Sequence, residues 1–267
     1  MIHKVLKGVA PLAALAAGAL LAGCNGNITI GDSKGVPLAE LDQSGEAPKE
    51  VVLAGPDNVV VTRGEALTID VSGDQEAVDA LRFTLDDGAL GIMRDRDAKK
   101  NIGTATVRVT MPSLTAIVVA GSGTIDADAM DGQSDVTIAG SGTAKVGSVT
   151  ANQLDLTIAG SGDFEAGGEV DRLDLTIAGS GSGNMAALKT GRADVTIAGS
   201  GDAEFASDGR VEATIMGSGS VTVFGNADCT VQSMGSGKLK CRGGATAKSD
   251  KTRAPETPEA PDAPAAP

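Results

Sequence analysis

Four nearly identical octets decide the fold of this chain: DVTIAGSG at Asp135–Gly142, DLTIAGSG at Asp155–Gly162, DLTIAGSG at Asp174–Gly181 and DVTIAGSG at Asp194–Gly201. Seven copies of the tripeptide GSG recur at a regular spacing, and their first glycines are Gly121, Gly140, Gly160, Gly179, Gly199, Gly217 and Gly235. Successive copies lie 18 to 20 residues apart, with a mean spacing of 19. Self-similarity at such a period is typical of solenoids, in which each repeat forms one coil and stacks on its neighbours.

Apolar and polar residues alternate within each repeat, which indicates β-strands with one buried face. The residue two positions before each GSG is Ile138, Ile158 or Ile177 in three successive copies, and the residue between the apolar positions is threonine. The repeats are also rich in Val, Ile and Thr, the residues that favour strands. The sequence therefore predicts an all-β, single-stranded β-helix, or β-solenoid, with coils of 19 residues on average and a right-handed path.

The GSG tripeptides are interpreted as structural corners. Glycine adopts the positive φ that a sharp bend requires, and it lets the backbones of stacked coils approach closely. The alternative is a phosphate-binding loop, which needs a following helix and usually a lysine, and the sequence shows neither.

Charged and amide side chains form two predicted columns beside the buried positions. Acidic residues stand five positions before each corner, at Asp135, Asp155, Asp174, Asp194 and Glu212, and Gln133, Gln153, Arg172, Arg192 and Arg210 stand two positions earlier. Stacked strands are about 4.8 Å apart, so neighbouring carboxylates repel unless another group compensates them. Asp135 and Asp155 have no arginine beside them. We expect either a solvated acidic face there or a cation held between these two carboxylates, and we predict no other metal site.

The composition excludes several classes of function. The only histidine is His3, in the N-terminal segment, and the chain has no Trp or Tyr. Imidazole catalysis and His-ligated zinc are therefore excluded from the mature protein, and we assign no catalytic residue and no cofactor. A formal net charge of −13 disfavours nucleic acid as a partner. A carbohydrate-active β-helix enzyme that uses paired carboxylates is the remaining catalytic alternative.

The N-terminus reads as an export signal. Residues 1–23 combine basic residues with a short apolar stretch, and the sequence LAGC at Leu21–Cys24 resembles the lipobox of bacterial lipoproteins. This resemblance implies cleavage before Cys24 and lipidation of its sulfur. Asn25 after the cysteine implies sorting to the outer membrane. The protein would face either the periplasm or the cell surface. An ordinary cleaved signal with an incidental cysteine is the alternative.

The rest of the chain divides by composition. We expect a tether over 24–48, irregular N-terminal coils that cap the stack over 49–110, the regular solenoid over 111–245 and a disordered Pro/Ala-rich tail over 246–267. Cys229 and Cys241 both fall at inward positions of the last coil, six residues on either side of Gly235. They form either a disulfide or two buried thiols.

An irregular β-rich start, the stretch VTMPSLTAIVVAGSGTI at Val109–Ile125 and the serial GSG corners resemble one family of bacterial envelope proteins. This is the putative auto-transporter adhesin, head GIN domain family, and the similarity extends from about Val51 to Gly243. The resemblance implies a β-solenoid with an adhesive or surface-associated role, for which an envelope polysaccharide or protein would be the ligand. It supplies no catalytic residues.

Overall fold

The computed structural model describes residues 35–99, 101–242 and 248–249. The predicted signal peptide, the lipidation position Cys24, the first part of the tether and nearly all of the predicted C-terminal tail lie outside these residues. A 3-10 turn at Leu38–Glu40 precedes the first strand.

Sixteen strands and one short helix make up the described fold. The elements that precede the regular coils are β1 (Glu50–Gly55), β2 (Asn58–Arg63), β3 (Thr68–Gly73), α1 (Gln75–Asp79), β4 (Leu81–Asp86), β5 (Ala89–Arg94) and β6 (Ala105–Met111). The remaining strands are β7 (Ala116–Gly121), β8 (Thr124–Gly140), β9 (Thr143–Gly160), β10 (Asp163–Gly179), β11 (Ser182–Gly199), β12 (Asp202–Gly217), β13 (Ser220–Phe224), β14 (Asp228–Gly235), β15 (Lys238–Arg242) and β16 (Lys248–Ser249).

The repeats stack as parallel coils, which confirms the predicted β-solenoid. Ile138 pairs with Ile158, Ile158 with Ile177, and the column continues through Ile197 to Ile215. All five isoleucine side chains are fully buried. Residues about one period apart therefore lie one above another, and their side chains fill a dry interior. The handedness of the coil stays a prediction.

Each of the strands β8 to β12 runs from one corner to the next without interruption. The middle of each repeat, here called the bend, varies in sequence from coil to coil, but it is also paired: Met130 lies opposite Val149, and both are buried. Bulges absorb the difference between the repeat lengths, as at Gly132/Gln133. A bend that stays hydrogen-bonded to its neighbours satisfies backbone groups that an irregular loop would leave to solvent.

Large and small side chains compensate one another between coils. Phe164 is fully buried, and its partners on the two neighbouring coils are Ala144 and Gly183. A close-packed interior requires this compensation, because an overfilled layer typically costs about 1–3 kcal/mol.

The N-terminal coils are stacked in an order that differs from their order in the sequence. The coil made by β1 and β2 lies between the coil of β5 and β6 and the coil of β7 and β8. β3 and β4 then pair antiparallel with β6 and β5 and form the outer edges. Backbone hydrogen bonds of 2.9 and 2.8 Å join Val36 to Phe83 and partly cover the edge of β4.

A buried ion pair fastens the first corner, where Gly55-Pro56-Asp57 replaces GSG. The carboxylate of Asp57 is 1% exposed and accepts hydrogen bonds from Arg94 Nη2 and Nε at 2.6 and 2.8 Å. It also accepts one from the Ala105 amide at 2.8 Å. Asp57 thus joins the β1–β2 coil to the β5–β6 coil, and its hydrogen bond raises the pKa of Arg94.

The C-terminal end of the stack has a different construction. Among the described strands, β15 is the outermost on its side, and β16 adds only two residues beside β14. Cys229 and Cys241 are joined by a disulfide with a Cα–Cα distance of 6.7 Å, and it links β14 to β15 across the interior.

Candidate functional site

The predicted acidic column is continuous along the stack. Asp135, Asp155, Asp174, Asp194 and Glu212 are successive register partners on β8 to β12. We call this column, together with Gln153, Arg172, Arg192 and Arg210, the carboxylate ladder.

The donors of the ladder bridge successive coils. Gln153 Nε2 donates to both oxygens of Asp155 at 2.9 and 3.1 Å and to Asp174 on the next coil at 3.1 Å. Arg172 makes two hydrogen bonds to Asp174, at 2.9 and 3.0 Å, and one to Asp194 at 2.9 Å.

The same arrangement continues more loosely toward the C-terminus. Arg192 lies 3.3 Å from Asp194 and 3.8 Å from Glu212, and Arg210 lies 3.7 Å from Glu212. The sequence places a glutamine or an arginine two positions before each acid, but the bridging to the next coil was not predicted. The signal was present, because a long side chain two positions before an acid also reaches the next coil about 4.8 Å away.

Asp135 and Asp155 differ in how they are compensated. Asp155 accepts the Gln153 amide, whereas the donor to Asp135 is the Thr137 hydroxyl at 3.5 Å. Burial, and then the charge of Asp155, raise the pKa of Asp135, and the Thr137 hydroxyl partly offsets this. Burial, and then the charge of Asp135, raise the pKa of Glu50.

These contacts and pKa directions do not test the cation predicted between Asp135 and Asp155. Among residues 35–99 and 101–242, no group of three or more Cys, His, Asp or Glu side chains is arranged to hold a metal ion. The cation therefore stays a prediction.

Glu50 also lines an open groove over the N-terminal coils. The groove has a volume of about 810 Å³, and its walls come from the segment before β1, the β4–β5 turn and the residues that precede β7. Its charged residues are Asp42, Glu46, Glu50, Asp86, Asp87 and one base, Lys49. Because five of these six residues are acids, we call this cavity the acidic groove.

The seven corner glycines all adopt a positive φ, between 121° and 132°. A Cβ on Gly140 would lie 2.5 Å from the carbonyl oxygen of Gly121 on the preceding coil. That carbonyl accepts a 2.9 Å hydrogen bond from the Ser141 amide, and the same bond recurs at the later corners at 2.8–2.9 Å. The corner serine amides therefore donate to a carbonyl oxygen of the preceding coil, so they are not free to bind a phosphate.

No helix among the residues that the structure describes has the length and apolar character needed to cross a bilayer.

Residues 47–227 match the family described as "Putative auto-transporter adhesin, head GIN domain". The fold is similar to a putative adhesin from Bacteroides fragilis, with a TM-score of 0.61 and 19% identity over 77% of this chain and 93% of that one. A structure from Parabacteroides distasonis described as a putative lipid binding protein has a TM-score of 0.53 and 20% identity, with the same coverage of 77% and 93%. A putative adhesin from Parabacteroides merdae has a TM-score of 0.53 and 16% identity, again over 77% and 93% of the two chains. No curated protein has a matching sequence.

Proposed function

The chain belongs to the putative auto-transporter adhesin, head GIN domain family, and from this membership we propose that it is a non-catalytic, adhesin-like element of the bacterial cell envelope. In this proposal it is an outer-membrane lipoprotein held by a lipid on Cys24. Its ligand is a repetitive envelope polysaccharide or protein.

The observation that carries the proposal is the in-register repetition of polar side chains on one face. Thr137, Thr157 and Thr176 form one column, and the carboxylate ladder runs beside it over the same coils. Contacts repeated about every 4.8 Å suit a polymeric ligand, because many weak contacts add up to a strong attachment without a deep pocket.

The anchor is supported by the sequence LAGC at Leu21–Cys24. Residues 25–35 separate Cys24 from Val36, the first described residue that is hydrogen-bonded to the fold. A chain of that length gives a folded rod room to reorient above a membrane surface. A single acyl chain binds only marginally, so stable anchoring requires more than one.

Protease treatment of intact cells tests the location. We expect the wild-type rod to be cleaved on intact cells and the Cys24→Ala variant to be absent from the outer membrane. Protection in intact cells, with cleavage only after permeabilisation, would overturn a role at the cell surface.

Substitutions on the polar face test the adhesive role. Thr157 and Thr176 are exposed, so T157E/T176E should leave the fold intact and reduce attachment of cells to polysaccharide-coated surfaces at least fivefold. S148E/T150E adds the same charge to an exposed part of the bend and serves as the control. Equal attachment by both variants would argue against the proposed face.

Polysaccharide turnover that a single carboxylate substitution abolishes would establish the enzymatic alternative instead.

A further inference from the structure

The two ends of the rod carry opposite charge. The N-terminal residues 35–99 contain fourteen acids and six bases, a net charge of −8. The terminal residues 220–242 contain one acid, Asp228, and three bases, a net charge of +2. The three bases, Lys238, Lys240 and Arg242, alternate along β15, and all three are exposed. We call them the basic edge.

The basic edge lies on an unpaired strand. β15 pairs with β13 on one side, and no described strand pairs with its other side. Unpaired strand edges are templates for pairing with another chain, and lysines on such an edge oppose strand-to-strand pairing. Charge is therefore the means by which this end can attract a partner. Exposed apolar surface adjoins this end, because Met234 is 64% exposed and its register partner Met216 is 39% exposed.

The opposite end supplies a complementary surface. The acidic groove lies over the N-terminal coils, and Glu46, Asp86 and Asp87 in it are exposed. The −8 charge of that end and the +2 charge of the other attract each other between copies and repel when like ends meet.

We propose that the protein associates head to tail, the basic edge of one copy docking against the acidic groove of a second copy. The contact is heterologous, so it repeats from copy to copy and builds a filament instead of a closed dimer. This inference goes beyond the proposed envelope function and depends on neither the lipid nor the ligand.

Sedimentation equilibrium of the chain from Cys24 onward, carrying Cys24→Ser to keep it in solution, tests the proposal. At low salt the weight-average mass should rise with protein concentration beyond that of a dimer. At ~0.3 M salt it should fall toward the monomer, because screening shortens the reach of these charges to below about 10 Å. A mass that stays monomeric at ~0.2 mM in ~20 mM salt overturns the proposal.

Charge reversal identifies the two surfaces. K238E/K240E makes the basic edge acidic, and D42K/E46K/D86K changes the net charge of the groove lining from −4 to +2. Each variant should weaken self-association at least tenfold, because the edge and the groove then carry the same sign. The control K145E/K189E changes the net charge as much as K238E/K240E but lies on the middle coils, and it should associate like the wild type.

Mixing the two reversed variants gives the decisive readout. An acidic edge then meets a basic groove and a basic edge meets an acidic groove, so the mixture should recover association that neither variant shows alone. A mixture that stays monomeric, or a K238E/K240E variant that associates like the wild type, overturns the proposal. So does a monomeric wild type that binds phosphatidylglycerol vesicles through Lys238 and Lys240, which would assign the edge to a membrane. Circular dichroism of each variant confirms that it is folded.

Discussion

Gly160 combines two constraints that only glycine satisfies. Its φ is +126°, outside the range that other residues readily adopt. A Cβ at this position would also collide with the carbonyl oxygen of Gly140 on the preceding coil. Because that oxygen belongs to a backbone fixed by its own hydrogen bonds, it cannot move aside without disturbing the neighbouring corner.

Three alanine substitutions separate these constraints. G160A should lower the free energy of unfolding by about 3 kcal/mol or more, from backbone strain and steric overlap together. G132A should cost about 1 kcal/mol, since Gly132 has φ +79° but open space around its Cα. G167A should be nearly neutral, because Gly167 has no positive φ and its Cβ would make ordinary contacts of 3.4 Å. Chemical denaturation measures all three, and equal losses would contradict the corner interpretation.

Asp135 and Glu50 carry like charges in half-buried positions, and this makes stability depend on pH. Their pKa values are raised in the folded state, mainly by burial, so the folded protein binds protons more tightly than the unfolded chain. Stability from these groups is therefore present at low pH and is lost as the pH rises from the ordinary carboxyl value of about 4 through the raised value.

D135N should accordingly stabilise the protein at pH 7 and have almost no effect below about pH 3, where Asp135 is protonated in both the folded and the unfolded protein. We expect a rise in Tm of about 1–3 °C, because the substitution removes the repulsion between Asp135 and the Asp155 carboxylate on the neighbouring strand. D128N, at an exposed position, is the control and should leave Tm unchanged. A lower Tm for D135N at pH 7, with a wild-type Tm that falls on chelation, would instead support the cation between Asp135 and Asp155.

At the scale of elements, the regular coils were predictable from the spacing of the GSG corners and from the alternation of apolar and polar residues. One inward column, Ile138 to Ile215, fixes the register of five strands, since a slip of one residue would expose all of it. The pairing of the bend was not predictable, because its residues differ between repeats and only neighbouring coils determine how they align. Gln153, an uncharged donor, bridges Asp155 and Asp174, although only arginines were expected to compensate the acids.

The last coil depends on the disulfide between β14 and β15. Replacing both cysteines by alanine should destabilise this coil by about 2–3 kcal/mol, because the bond closes a short loop with a separation of 12 residues. The amides of β14 and β15 should then exchange hydrogen faster, while those of β9 and β10 keep their protection. The alanine variant loses the two sulfur atoms as well as the bond, so the wild type under reducing conditions, which loses only the bond, is the control. Alkylation of both cysteines without a reductant would contradict the bond.

At the scale of the whole molecule, the N-terminal end and the middle follow different rules. In the middle, each coil pairs only with its sequence neighbours, so adjacent repeats suffice to predict the stacking. At the N-terminal end, β1 lies between β5 and β7, and this order depends on contacts such as the Asp57–Arg94 pair between distant segments. No repeat marks such contacts in the sequence, so a cap was predictable there but its stacking order was not.

Removing one whole coil tests the nearest-neighbour organisation. Deletion of Ser180–Gly199 joins Gly179 to Ser200 and restores a GSG corner. Phe164 then stacks on Ala203, so a large residue again meets a small one, and Arg172 faces Glu212 in place of Asp194. We expect a folded solenoid that melts in one transition at a lower temperature, because one coil interface is lost. Deletion of residues 180–189 removes half a coil, leaves the later strands out of register with the corners and should prevent folding. Circular dichroism and thermal melting compare the two, and equal behaviour would contradict coil-by-coil stacking.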